Sequence, residues 1–344
     1  MAIITIIGAG MMGSALAFPA VSNGHNVRLV GTPLDSQIID ECIKKDKHPK
    51  FDRAFPQGIE YYHFEEMQSA LTGADLLIGG ISSFGVDWFL DVVLMVIPEK
   101  LPVIVVTKGL KGYEDGRLES FPDYWAKKLK KFGRKISISA ITGPCTSYEL
   151  VAEDNTVVTF CGYDEKNLEL AKNLLETDYY HISLSKDVIG CEAAVALKNL
   201  YALSVTMTIG LNQSTKHLSD KEHYNSQAAV FGQSVKEMRR FIAYLGGGDD
   251  AVDLGTGDLY VTVFGGRTRL LGKLLGRGTS KADAENELAG ITLESVAIAE
   301  TVARAMSILS SNGKIKLEQF SLFEHTATVL NGEKQPSIPW KKLF

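Results

Sequence analysis

The chain has 344 residues, beyond the roughly 100–200 of one ordinary domain, so two domains are expected. Hydrophobic residues at 45% and charged ones at 22% exclude disorder, collagen and coiled coil. With 36 basic against 41 acidic residues the net charge is -5, which disfavours a nucleic-acid partner and leaves only a local basic pocket for a small anion.

Residues 2–7 form an apolar, β-branched run that stops at Gly8, the pattern of a strand buried on both faces of a parallel sheet. Residues 11–22 carry small and apolar side chains at helical spacing, and Asn23-Gly24 supplies a stop. A second strand is expected at 26–30, then strands at 75–81, 103–106 and 136–140, with helical patterns at 84–96 and 124–132 between them. Strands at 156–161 and 180–183 flank a helix at 165–175 and complete the sheet. Such alternation implies right-handed crossovers and an α/β, doubly wound sheet of Rossmann type. From about Asp187 the pattern turns helical, at 189–211, 226–245, 282–287 and 293–309, and predicts an all-α C-terminal domain. The expected division is a dinucleotide-binding domain at 1–186 and a helical substrate and catalytic domain at 187–344. A cleft between domains is a favoured site for a ligand.

Gly8, Gly10 and Gly13 form a Gly-x-Gly-x-x-Gly directly after the first strand and at the start of a helix. The first glycine permits a tight turn, the second lets a pyrophosphate approach the backbone, and the third allows close helix-to-strand packing. The helix N-terminus adds amide donors for the phosphates. An NAD site usually has an acid at the end of the second strand, yet Arg28 to Pro33 contains none before Asp35. Thr32 and Arg28 would tolerate a 2′-phosphate, which leans toward NADP or dual use; the alternative is a solvent-facing Arg28 and an ordinary turn at Thr32. NAD and NADP both stay open.

Lys198 and Asn199 lie in a helical run with Ala194, Val195, Ala196, Tyr201, Ala202 and Leu203 around them. A helix apolar on all sides is buried, and a desolvated lysine has a lowered pKa suited to acid-base work. The alternative is a lysine that snorkels to the surface. Lys108 follows the strand at 103–106, where open α/β sheets bind ligands, and is otherwise a loop lysine. In the stretch from Gly255 to Arg269, Arg267 offers a planar fork for a phosphate, and Asp258, among apolar residues and glycines, is expected to pair with a cation. The alternative there is a glycine-rich surface turn.

Other features read as inert. Cys42, Cys145, Cys161 and Cys191 are widely spaced, which suits a reducing compartment without disulfides or structural zinc. Cys145 is expected to be a small buried thiol. The seven histidines, His48 and His217 among them, show no metal spacing, and Gly246 to Asp250 reads as a helix stop and loop. No basic region precedes the first apolar stretch, and no uncharged run nears the roughly 20 residues of a membrane span, so a cytoplasmic location is expected.

Taken in series, Gly8 to Ala17, Thr107-Lys108-Gly109, Thr142-Gly143-Pro144, Ala196 to Asn199, Gly257-Asp258-Leu259 and Gly265-Gly266-Arg267 resemble the NAD(P)-dependent glycerol-3-phosphate dehydrogenase family. The resemblance implies an N-terminal Rossmann-type domain, a helical C-terminal domain, and hydride transfer between NAD(P)H and dihydroxyacetone phosphate or sn-glycerol 3-phosphate. It makes Lys198 the general acid-base residue, with Asp258 as its partner. Lys108, Asn199, Asp258, Thr262, Arg267 and Thr268 become the substrate-binding set, with Arg267 on the phosphate. Cofactor contacts are implied at Gly8, Gly10, Met11, Met12, Gly13, Thr32, Phe84, Lys108 and Arg267, with no metal. The family normally has Asn where this chain has Thr268, and Asp-Gly-Leu where it has Ile209-Gly210-Leu211. A different phosphorylated polyol or hydroxy acid is therefore the alternative substrate, and a non-catalytic nucleotide sensor the alternative class. A homodimer is expected from the apolar helical domain.

Overall fold

The computed structural model describes residues 1–214, 222–288 and 294–344, the side chains of 266, 267, 294 and 295 excepted. Contacts group the chain into two units, Met1–Lys108 with Phe121–Val188, and Gly109–Ser120 with Ile189–Phe344.

The chain opens with β1 (Ile3–Ile7), α1 (Met11–Ala15), α2 (Ala17–Ser22), β2 (Asn26–Val30), α3 (Ser36–Lys45), β3 (Ile59–Tyr62), α4 (Met67–Leu71), β4 (Leu76–Gly79), α5 (Val86–Trp88) and β5 (Val103–Val105). A hairpin, β6 (Leu110–Gly112) and β7 (Leu118–Ser120), comes next. It is followed by α6 (Phe121–Lys131), β8 (Ile138–Thr142), α7 (Ser147–Val151), β9 (Thr156–Cys161), α8 (Glu165–Leu175) and β10 (Tyr180–Ser185). The main sheet is ordered β10-β9-β8-β5-β4-β1-β2-β3. All its neighbours pair in parallel except β8 with β9, which run antiparallel. β4 and β5 are buried along their whole length, as strands covered on both faces must be, and both are unbroken apolar runs. The strand order reverses between β1 and β4, so the carboxyl ends of these two strands form the switch point where such sheets take ligands.

Several elements depart from the sequence expectation. The helix expected over 11–22 is broken at Leu16 into α1 and α2. The one expected over 84–96 is a tight turn at Ser83–Gly85, then α5, then a wide π-type turn over Phe89–Leu94. Carbonyls on either side of the π-type turn are satisfied from outside the segment. Buried Trp125 donates its indole N–H to Val86 at 2.9 Å, and the Arg134 guanidinium donates to the carbonyls of Met95 and Ile97. Edge strand β3, with sequence Ile-Glu-Tyr-Tyr, has too weak a pattern to be read in advance.

The second unit is built on α9 (Val188–Ser214), followed by α10 (Tyr224–Tyr244), α11 (Asp249–Phe264), α12 (Gly266–Gly276), α13 (Lys281–Glu287), α14 (Glu294–Ser311), α15 (Ser321–Leu330) and α16 (Trp340–Leu343). Leu293, where the predicted last long helix begins, lies outside the described residues, as does His217. Among the described residues α9 alone is long and apolar enough to cross a membrane, and most of it is buried. Glycines let α12 press against it: a Cβ on Gly272 would meet Thr206 Oγ1 at 1.9 Å, and one on Gly276 the Met207 carbonyl at 2.2 Å. Gly210, in the altered Ile-Gly-Leu, belongs to the same crossing, since its Cβ would meet the Lys273 carbonyl at 2.2 Å.

The hairpin qualifies the all-α expectation. Its backbone lies on α14, where a Cβ on Gly112 would meet Thr301 Cγ2 at 2.8 Å and one on Gly116 would meet Ile308 Cγ2 at 3.0 Å. Residues 109–120 thus group with the helical unit although they precede α6 in the chain.

Candidate functional site

The turn after β1 is shaped by contacts that leave no room for side chains. Gly8 has φ of +113°, and a Cβ there would meet the Gly80 carbonyl oxygen at 2.5 Å. A Cβ on Gly13 would meet the Gly8 carbonyl oxygen at 2.2 Å. Gly80, just past β4, is a further glycine that the turn requires, since its Cβ would lie 2.7 Å from Gly8 O and 2.9 Å from Gly13 Cα. Gly10 is different. Its backbone is ordinary (φ −67°, ψ 170°), and a Cβ there would find nothing nearer than the Gly80 carbonyl oxygen at 4.0 Å. The fold does not demand a glycine at that point, which is where a dinucleotide motif uses one to let the pyrophosphate approach the backbone. Gly10 caps α1 without any side-chain hydrogen bond, so Met11 and Met12 open the helix with first-turn amides available to phosphate oxygens. The cradle therefore fits a dinucleotide.

Thr32, past the end of β2, donates its hydroxyl to Asp35 Oδ2 at 2.7 Å and its amide to the same oxygen at 2.9 Å. Asp35 Oδ2 also accepts the Ala9 N–H at 3.2 Å, so an acid absent from the strand end returns to the glycine turn from five residues beyond it. Arg28 corrects the sequence reading. Its guanidinium donates to the carbonyls of Ala70 at 3.1 Å and Thr72 at 2.6 Å and lies 3.6 Å from Glu60, so it is committed to its own side of the sheet rather than to a 2′-phosphate or to solvent. On the other side of the turn, buried His48 places Nε2 3.2 Å from the Ala9 carbonyl. Neither Asp35 nor His48 was singled out by sequence pattern; their contacts span 26 and 39 residues.

Phe84 stands 64% exposed in the turn after β4. Lys108, half-buried at the end of the run leaving β5, donates Nζ to the Gly143 carbonyl at 2.8 Å. Cys145, expected to be buried, is half-buried beside this segment.

In the helical unit Lys198 on α9 forms an ion pair with Asp258 on α11 at 2.5 Å, with 12% and 2% of the two side chains exposed. The pair depends on how closely the helices approach. Gly255, one turn before Asp258, has its Cβ position 2.8 Å from the Cβ of Ala194, one turn before Lys198. The segment read as a possible glycine-rich turn is thus helical, and Gly255 serves helix packing. Asn199, next to Lys198 on α9, is buried. Thr262, one turn after Asp258, donates its hydroxyl to the Asp258 carbonyl at 2.7 Å, which leaves its oxygen as an acceptor. Thr268 is buried on α12. Arg267 is the second residue of α12, and its side chain lies outside the described residues. Among the described residues no group of three His, Cys, Asp or Glu side chains is placed to hold a metal ion.

A dinucleotide cradle in one unit and a buried lysine–carboxylate pair in the other define an NAD(P)-dependent dehydrogenase. The family models for the N-terminus and C-terminus of NAD-dependent glycerol-3-phosphate dehydrogenase match residues 3–168 and 187–340. The chain belongs to that family. It is 32% identical to the NADP(+)-dependent glycerol-3-phosphate dehydrogenase of Archaeoglobus fulgidus over 91% of this chain and 92% of that one. It is 27% identical to the glycerol-3-phosphate dehydrogenase [NAD(P)+] of Limosilactobacillus fermentum, over 86% and 85%. The fold matches the crystal structure of glycerol-3-phosphate dehydrogenase from Coxiella burnetii with a TM-score of 0.81 at 22% identity, over 99% of this chain and 97% of that one.

Proposed function

We propose that the protein catalyses reversible reduction of dihydroxyacetone phosphate to sn-glycerol 3-phosphate with NADH or NADPH. The observation that carries the mechanism is the Lys198–Asp258 pair, a cation held in a largely buried setting by an opposite charge. A bound reduced nicotinamide would supply the hydride for C2 of the ketone. Lys198 gives a proton to the oxygen that becomes an alkoxide at C2, and removes it in the reverse direction. Asp258 fixes the ammonium and balances its charge where little water can do so. Asn199 donates from its amide to the reacting end, and Thr262 accepts a substrate hydroxyl. Lys108 binds and polarises the substrate oxygen, and Arg267, with Thr268 beside it in sequence, holds the phosphate through its planar fork. Gly8, Gly10, Met11, Met12 and Gly13 hold the pyrophosphate; Thr32 and Phe84 take the adenosine end, and Lys108 and Arg267 also border the cofactor.

The relatives do not favour the alternative of another phosphorylated polyol or hydroxy acid. We further propose a homodimer in the cytoplasm, acting on a small phosphorylated substrate without nucleic-acid or membrane partners. A panel of dihydroxyacetone phosphate, other phosphorylated ketoses and 2-keto acids, run with both reduced dinucleotides, tests the activity. The expected result is oxidation of NADH or NADPH with dihydroxyacetone phosphate foremost. Equal or faster turnover of a 2-keto acid contradicts the assignment.

A further inference from the structure

His48 belongs to the segment after α3 and is packed against the Phe51 ring at 4.5 Å. Its Nδ1 accepts the Lys50 backbone N–H at 3.1 Å. An amide N–H can only donate, so Nδ1 carries no proton and the neutral ring carries it on Nε2. Nε2 therefore donates to the Ala9 carbonyl, 3.2 Å away. Burial pushes the His48 pKa below its ordinary 6.5 and favours this neutral form, against the opposing influence of the Ala9 hydrogen bond and Asp35, while Lys50 acts with burial. The other peptide group of Ala9 is also anchored, its N–H on Asp35 Oδ2 at 3.2 Å. Both bonds come from one segment, 32–51, that contributes no strand to the sheet.

The N–H and C=O of a trans peptide unit are coplanar and point in opposite directions. Holding the Ala9 carbonyl toward His48 consequently turns the Gly10 N–H the other way. Gly10 is the position where a side chain would meet open space, and it leads into the uncapped N-terminus of α1. We propose that His48 is a positioning residue of the dinucleotide site, which fixes the Ala9–Gly10 peptide so that its N–H faces the pyrophosphate, with Asp35 anchoring the preceding peptide. The inference rests on the reading of this turn as the dinucleotide cradle. Because NADH and NADPH share their pyrophosphate, the effect is the same for both. That separates His48 from any residue that discriminates at the ribose.

The test compares His48→Gln with His48→Asn in the full chain, reading dissociation constants for NADH and NADPH from nicotinamide fluorescence and the melting temperature of the unliganded protein. The Gln amide reaches the place of Nε2 and can donate to Ala9; the Asn amide satisfies Lys50 but stops short of Ala9. His48→Asn is expected to weaken both dinucleotides about tenfold, as loss of one charge-assisted hydrogen bond does, while His48→Gln stays within about threefold of the parent and both variants melt together. An Asn variant within about threefold of the Gln variant overturns the inference, as does a loss confined to one dinucleotide. If the parent protein binds neither dinucleotide, the cradle reading itself fails, and His48 with it.

Discussion

Lys198 is paired with a carboxylate 60 residues away in the chain, and the proposed chemistry rests on that pair. The carboxylate of Asp258, 2% exposed, has little water to replace the ammonium if the pair is broken. Asp258→Asn keeps the shape but removes the carboxylate charge held 2.5 Å from the Lys198 ammonium, and removing one member of a buried pair costs about 3–5 kcal/mol. If Lys198 is the acid-base residue proposed, part of that cost falls on the reaction. The expected outcome is a kcat lowered about a hundredfold with dinucleotide affinity retained, measured by steady-state kinetics beside a binding titration. The unusual apolar neighbourhood of Lys198 was legible in the sequence, because helical spacing shows which residues share its face. The commitment of Arg28 was not: its acceptors, the backbone carbonyls of Ala70 and Thr72, lie at the C-terminal end of α4, which no local pattern ties to β2.

Among elements, α11 packs closely on α9 one turn before the Lys198–Asp258 pair. At Gly255 a Cβ would lie 2.6 Å from Met238 Sδ as well as 2.8 Å from Ala194 Cβ. Gly255→Ala overpacks this crossing, at a cost of about 1–3 kcal/mol, and pushes Asp258 away from Lys198. Lower chemical stability toward denaturant and a lower kcat are expected together; unchanged kcat would show that the pair tolerates the shift. Another element is held by one buried acid. Glu237 on α10 accepts the N–H groups of Leu322 and Phe323, both at 2.9 Å, at the start of α15, with Gln233 at 3.0 Å and Tyr201 at 3.4 Å on the same carboxylate. Burial raises its pKa despite these donors. Glu237→Ala strands the helix-end amides, and denaturant titration should show a loss of about 2 kcal/mol or more. The helices around Gly255 were hard to read in advance because glycine disfavours helix by about 1 kcal/mol each; tertiary packing of Ala251, Val252, Leu259 and Val263 overrides that preference.

For the whole molecule, the β-branched runs and glycine stops made the parallel sheet readable, since strands buried on both faces need continuous apolar sequence. The hairpin at 109–120 was not readable: two three-residue strands carry almost no periodic signal, and only the fit of Gly112 and Gly116 on α14 explains why they join the helical unit. Under the proposed function the first unit would hold the dinucleotide and the second would carry Lys198 and Asp258 as the acid-base pair. The most direct test is turnover of dihydroxyacetone phosphate by the parent protein and by Lys198→Ala, with NADH and NADPH binding measured on both. The variant is expected to bind dinucleotide as the parent does and to lose about 100- to 10,000-fold in kcat. Near-normal turnover by Lys198→Ala would contradict it.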